Sequence, residues 1–384
     1  MADLDFAVRS TVDELINRGI EVGVQVAVYI EGELVVDYAA GVDSEEGTRR
    51  VTGDTLFTIY SAATGVIASA IHILAERGLI DYGQMVAHYW PEFAAEGKGD
   101  ITVAQALNHL AGIPQFPVVE GTSTEAIFID IDLALAEVAK LKPVFAPGTR
   151  AVFHGLTIGW IAEALARAVD GRSLGQIVHE EIAVPLGSED EIFLGTPESE
   201  HQRMATPFDA PQPSKEVPDL DPLILQCVPL DEPIAEILNR PQVRAAQIPG
   251  ANISVSARAL AKHYAALIGE VDGVRLLSES QLERIFSHRV EFNDLFMNGV
   301  FSRPQATPRA LVYMLNTGNS KDQSFYGPNL GAFGHDGYGG ACGYADPEAK
   351  LGLGYTKTLL YGTLPQNAEG ASKVRILRAI YKNL

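Results

Sequence analysis

Cysteine is nearly absent from this chain: of its 384 residues only Cys227 and Cys342 carry a thiol. Two such residues make no disulfide framework, and no CxxC pair or Cys/His cluster offers a metal site. Basic residues are also scarce, 29 against 49 acidic, for a net charge of −20. That balance argues against nucleic acid or an anionic membrane surface as a partner. No run approaches the roughly 18 apolar residues of a membrane span. The opening MADLDFAVRSTVDELINRGI has acids where a basic leader would begin and no continuous apolar stretch, so no secretory signal is expected. These absences predict a reduced, cytoplasmic protein with no metal and no cofactor.

What is present is ordinary globular material, 47% apolar and 20% charged, long enough for one large domain or two interleaved ones. Leu4, Val8, Val12, Leu15 and Ile16 form a helical stripe, and Gly19 ends it. GVQVAVYIEGELVVDYAAG alternates apolar and polar residues around EGE, which predicts a β-hairpin. A helix over the Ser61 region runs to about Gly78. ITVAQALNHLAG predicts another, with Thr102 as N-cap and Gly112 as its end. TIGWIAEALARAVDG predicts a third, stopped by Gly171. Nine of the 21 prolines lie between Pro207 and Pro249. So many fixed φ angles and missing donors predict an irregular loop, either a lid or a surface connection. Strands are expected again at NGVFS, ALVYMLN, GAFGHDG and GACGYADPEAKLGLGYTKTL, and ASKVRILRAIYKNL closes as a helix. The order predicts an α+β fold. Residues 1–80 and 250–384 form a discontinuous sheet domain, and 81–249 form a mostly helical domain carrying the proline-rich loop 207–249.

Four stretches carry a resemblance: LFTIYSAATGVIASAIHILAERGLIDYGQMVAHYWPEF, ITVAQALNHLAGIP, PGTRAVFHGLTIGWIAEALARAVDGRSLGQIVHEEIAVPLG and FGHDGYGGACGYADPEAKLGLGY. In this order they resemble the serine β-lactamase and penicillin-binding-protein superfamily, and most closely its class C-like carboxylesterases. The resemblance covers nearly the whole chain. It implies a β-lactamase/transpeptidase-like fold, an antiparallel sheet flanked by helices with a mostly helical domain. It also implies three chemical elements. One is S-x-x-K, with serine and lysine a turn apart on one helix face. The second is a tyrosine that shares the lysine's proton. The third is a K-T-G or H/W-x-G stretch on an edge strand, whose backbone N–H completes an oxyanion hole with that of the serine.

Here the first element reads Ser61-Ala62-Ala63-Thr64, so the nucleophile is present without its lysine. Phe153 stands at the tyrosine position, and the third element is His335-Asp336-Gly337, followed by Tyr338. Neither Thr64 nor Phe153 can take up and pass on a proton at neutral pH, and a helical threonine tends to bond back to the carbonyl four residues earlier. General-base assistance is worth about 10²–10⁴-fold. A backbone oxyanion hole alone leaves roughly 10³–10⁴-fold over water.

The resemblance places His335 beside Ser61, and imidazole is a competent base near neutrality. His335, Tyr338 and His154 are the candidate proton carriers for a catalytic Ser61. Thr64, Phe153, Tyr60, Asp336 and Gly337 are candidates for substrate contact. Asp336 either orients His335 or faces solvent. His109 reads as structural, and Ser61 has the alternative reading of a plain helix cap. The expected activity is that of an atypical serine hydrolase or acyltransferase on a small ester, lactone or amide. Two alternatives stay open. One is a non-hydrolytic enzyme, performing isomerisation, cyclisation or C–C chemistry on a hydrophobic metabolite; the other is an inactive binding protein. The partner in each enzymatic reading is a small molecule, and a homo-oligomer is left open.

Overall fold

The computed structural model describes residues 2–211, 221–228, 232–297, 307–316, 326–361 and 371–384. The expected strand at NGVFS lies outside them, as do parts of the proline-rich loop.

Helix α1 (Ala2–Asn17) buries the predicted stripe of Leu4, Val8, Val12 and Leu15. Gly19, at φ +66°, ends it. The hairpin follows as β1 (Gly23–Ile30) and β2 (Glu33–Gly41). Glu31 and Gly32 both have positive φ, the backbone that a two-residue hairpin turn requires. β1 does not alternate between buried and exposed residues: it is buried almost throughout. Val24, Val26 and Val28 face α1, while Ala27 and Tyr29 join the core on the opposite face. Gln25, buried on that second face, donates to the carbonyls of Thr52 and Thr55 and accepts from the Ala257 N–H. A strand covered on both sides needs such partners for its one polar side chain.

The remaining sheet strands are β3 (Arg289–Phe292), β4 (Thr307–Ala310), β5 (Tyr313–Leu315), β6 (Phe333–Asp336), β7 (Cys342–Asp346) and β8 (Leu351–Lys357). The eight strands form one antiparallel sheet in the order β2-β1-β8-β7-β6-β5-β4-β3. The sheet is therefore drawn from both ends of the chain. Helix α2 (Ala63–Glu76) and helix α3 (Thr157–Asp170) pack together in the main core. Helix α4 (Ala257–Ile268) crosses β8, β1 and β7, and α5 (Ser372–Lys382) pairs with α1. None of the described helices is long and apolar enough to cross a membrane.

Two small pairings position the site. Phe57–Thr58 joins Ile192–Leu194 through Ile253–Val255, and the Ile59 N–H donates to Ile253 O (3.0 Å), holding the chain just before Ser61. Phe208–Asp209 pairs in parallel with Leu359–Leu360.

Thr102 caps a helix as expected, in a capping box with Gln105, but the helix covers only Val103–Leu107. His109 adopts φ +61°, which breaks the helix before Gly112. Thr102→Ala should lower the unfolding free energy by about 1 kcal/mol, read from urea denaturation. An unchanged midpoint would show that the box contributes nothing.

Candidate active site

Ser61 sits in a short 3₁₀ turn, Tyr60–Ala62, at the entrance to α2. The residue before it is strained: Tyr60 has φ +50°, a conformation that costs a bulky side chain about 1–3 kcal/mol. The cap positions of this turn and of α2 are Ile59 and Ala62, and neither makes a side-chain cap bond. The Ser61 hydroxyl is therefore not occupied as a cap, and the plain-cap reading falls. Ser61 instead lines a cavity of about 100 Å³ with Tyr60, Phe153, His335, Gly337 and Tyr338. Most other lining side chains are apolar, among them Leu156, Ile234, Phe296 and Met314.

β6 brings His335 to this cavity. Ser61 and Gly65 share one face of the helix entrance, four residues apart. A Cβ on Gly65 would lie 3.2 Å from His335 Cβ and 2.2 Å from the Tyr264 hydroxyl. Only glycine lets β6 approach so closely. The next contact is as tight, since a Cβ on Gly337 would meet Ile59 O at 2.2 Å. His335 Nδ1 lies 2.8 Å from the Asp336 carbonyl, which can only accept, so Nδ1 carries the proton and Nε2 holds the lone pair. The Phe153 and His335 rings are 6.0 Å apart, and those of Tyr60 and Tyr338 are 5.6 Å apart.

The third element is not on an edge strand: β6 lies between β7 and β5. Its pairing to β5 stops at Gly334, however, so that ladder does not extend to His335 and Asp336. The Gly337 N–H donates to Ala341 O (2.7 Å). Ser61 and Tyr338 are each in the first turn of a 3₁₀ segment, where N–H groups have no acceptor within the helix.

Two expected site residues stand outside the cavity lining, and a third lines it in another role. Thr64 is fully buried one turn along α2, outside the cavity lining. Its hydroxyl has no hydrogen-bond partner, so the expected bond to the carbonyl four residues back is not made. His154 is also behind the wall. Its Nδ1 donates to Val152 O (2.6 Å) and its Nε2 accepts from the Ile113 N–H (3.1 Å). With both nitrogens committed to backbone, it positions chain and carries no substrate proton. Asp336 lines the cavity, but it neither orients His335 through its carboxylate nor faces solvent. Both its oxygens lie 2.9 Å from Lys373 Nζ on α5, in a buried ion pair.

His109 is structural as expected: its Nδ1 accepts from the His154 N–H (3.0 Å). Burial, with the Arg309 cation nearby, holds it well below the usual imidazole range, and burial holds His154 at about 4. Both are neutral in the fold and would protonate near pH 6.5 when unfolded. The stability they allow is present above about pH 6.5 and is lost as pH falls toward 4. The slope is about 1.4 kcal/mol per pH unit for each. Urea midpoints should therefore fall between pH 7 and 5, and fall less steeply in His154→Gln.

Sequence reasoning missed Asp209, Arg309 and Asp294. The Tyr338 hydroxyl donates to Asp209 Oδ1 (2.8 Å). Burial raises the Asp209 carboxyl, and burial with the Asp209 charge raises the Tyr338 phenol. Arg309, buried on β4, lies 5.3 Å over the Phe153 ring and 3.6 Å from Asp294. Asp294 Oδ1 accepts from the Phe153 N–H (3.1 Å). Only folding joins these residues, and the lone FND of Asp294, a cap-like acid before an apolar run, was the sole local signal.

A serine entering a helix under a strained turn, beside a strand-borne H-x-G, defines a protein of the serine β-lactamase and transpeptidase class. The model of the family described as Beta-lactamase matches residues 8–373, and the chain belongs to that family, on its esterase branch. It is 31% identical to the esterase/beta-lactamase LipL of Mycobacterium tuberculosis over 89% of this chain and 78% of that protein. A crystal structure of a family VIII carboxylesterase superposes with a TM-score of 0.87 at 34% identity, covering 99% and 98% of the two chains. EstA from Arthrobacter nitroguajacolicus superposes at 0.82 with 29% identity, over 98% and 95%.

Proposed function

We propose that this protein is a serine hydrolase or acyltransferase that acts on small esters through an acyl-Ser61 intermediate. One observation carries the reading. Ser61 and His335 line the same cavity, and His335 is held in the tautomer whose Nε2 can take a proton. Ser61 Oγ loses its proton to Nε2 and bonds to the ester carbonyl carbon. The carbonyl oxygen becomes an oxyanion, received by the N–H groups of Ser61 and Tyr338. The imidazolium returns the proton to the leaving alkoxide as the C–O bond breaks. Water or an alcohol then repeats the sequence on the acyl-enzyme and frees Ser61.

The cavity supports a small acyl group. An apolar cavity of roughly 150 Å³ holds benzene, so about 100 Å³ suits a chain of a few carbons. The named activities of LipL and of the family VIII carboxylesterase agree with ester chemistry. The absent lysine and tyrosine argue for slow turnover and against the family's usual proton path.

The test is covalent labelling. A fluorophosphonate should leave a mass adduct on Ser61 and none on Ser61→Ala protein. Absence of any adduct between about pH 6 and 9, a range that brackets imidazole titration, would remove the acyl-enzyme reading.

A further inference from the structure

His335 stands near the end of β6, where that strand is paired on one side only. β6 pairs with β7 as far as Asp336, but with β5 only through Phe333 and Gly334. The Asp336 carbonyl lies beyond the ladder to β5, and it accepts from the Nδ1–H of His335 at 2.8 Å. This one carbonyl thus decides which imidazole nitrogen keeps its lone pair.

What holds Asp336 comes from the far end of the chain. Both of its carboxylate oxygens lie 2.9 Å from Lys373 Nζ, and both side chains are buried. Lys373 is itself seated 5.4 Å over the Tyr326 ring, which stacks on Tyr344 of β7 at 5.2 Å. Stability does not account for this pair. A buried ion pair gains little over an apolar pair of like volume, because both charges lose their water. Lys373 also stands in the first turn of α5, where the helix dipole disfavours a cation. A geometric role accounts for both features.

We propose that Lys373 is a positioning residue: its ion pair with Asp336 clamps the carbonyl that keeps the proton on His335 Nδ1 and leaves Nε2 free for Ser61. Asp336 therefore orients His335 through its carbonyl, while its carboxylate serves as the anchor. The inference rests on the reading of His335 as base. Without the clamp the Asp336 backbone is freer to turn, the bond to Nδ1 weakens, and the proton is shared between the two ring nitrogens. A neutral ring protonated on Nε2 has no lone pair there for the proton of Ser61.

The test reads the ring tautomer by nitrogen NMR on histidine-labelled protein at about pH 8, above the ordinary imidazole range. The His335 signals are those lost in His335→Asn. Lys373→Met alone strands a buried carboxylate and can unfold the chain. The decisive variant is therefore Asp336→Leu with Lys373→Met, which leaves an apolar pair and keeps every backbone carbonyl. Wild-type protein should show the Nδ1–H form. The double variant should show both forms in a folded spectrum, and its Ser61 should react with fluorophosphonate about tenfold more slowly, the effect of one lost hydrogen bond. Lys373→Arg, whose guanidinium can meet both carboxylate oxygens, should restore most of what the double variant loses.

A pair that served stability alone would shift the urea midpoint and leave the tautomer of the folded protein as it is. An unmixed Nδ1–H form, or an unslowed labelling rate, in the folded double variant overturns the proposal. If His335→Asn labels at the wild-type rate, the base reading falls, and the tautomer alone then decides whether Lys373 orients the ring.

Discussion

His335→Asn is expected to slow acylation of Ser61 by about 10²–10⁴-fold, the usual contribution of a positioned base. Asparagine suits the test because its amide can still donate to the Asp336 carbonyl, where the Nδ1–H now donates (2.8 Å). It also fits within the limit set by Gly65, whose surface lies against the base of this side chain. The change removes the lone pair of Nε2 and little else. The backbone donors of Ser61 and Tyr338 remain, so the residual rate should stay above that of uncatalysed hydrolysis by up to roughly 10³–10⁴-fold. The readouts are the rate of fluorophosphonate labelling and of p-nitrophenyl butyrate turnover. Labelling at the wild-type rate would falsify the assignment of His335 as base. In that event the Tyr338–Asp209 pair is the next candidate to accept the proton.

The sequence and the fold agree where local pattern decides. The α1 stripe, the Glu31-Gly32 turn, the Thr102 cap and the left-handed Gly171 after α3 are each written in a few neighbouring residues. The family motifs likewise mark Ser61, Phe153, His335 and Tyr338, which the fold gathers at one cavity. Pattern fails where distant segments decide. The alternation around EGE does not say that β1 is buried on both faces, one in each core cluster. The helix after Thr102 stops early because His109 turns left-handed to receive the His154 N–H. Nothing near Asp336 in sequence announces its ion pair; α5 delivers Lys373 to it from 37 residues further on. Asp209 and Arg309 have no neighbouring motif at all, and reach the site through a two-residue strand pairing and a sheet register.

Arg309 gives the second large expectation its reason. The double variant Thr64→Lys with Phe153→Tyr should raise ester turnover by about 10²–10⁴-fold, the benefit of restoring a base to the serine. Ser61 and Thr64 lie three residues apart at the helix entrance, so a lysine at 64 can reach the same cleft. A tyrosine at 153 would lie under the Arg309 guanidinium, now 5.3 Å from the ring, and a cation there favours the phenolate that must accept the serine's proton. The two changes depend on one another. Thr64 is fully buried, so Thr64→Lys alone places an unpaired cation in the interior and should cost stability. Phe153→Tyr alone adds a hydroxyl with no lysine to share its proton. Turnover of p-nitrophenyl butyrate by both singles and the double, with their urea midpoints, separates these effects. A gain confined to the double means that the cleft has kept its inherited geometry and lost only its proton carriers. A double variant no faster than the parent means that the wall around Phe153, pinned by Asp294 and Arg309, has moved to fit a phenyl ring and no longer presents a hydroxyl to Ser61.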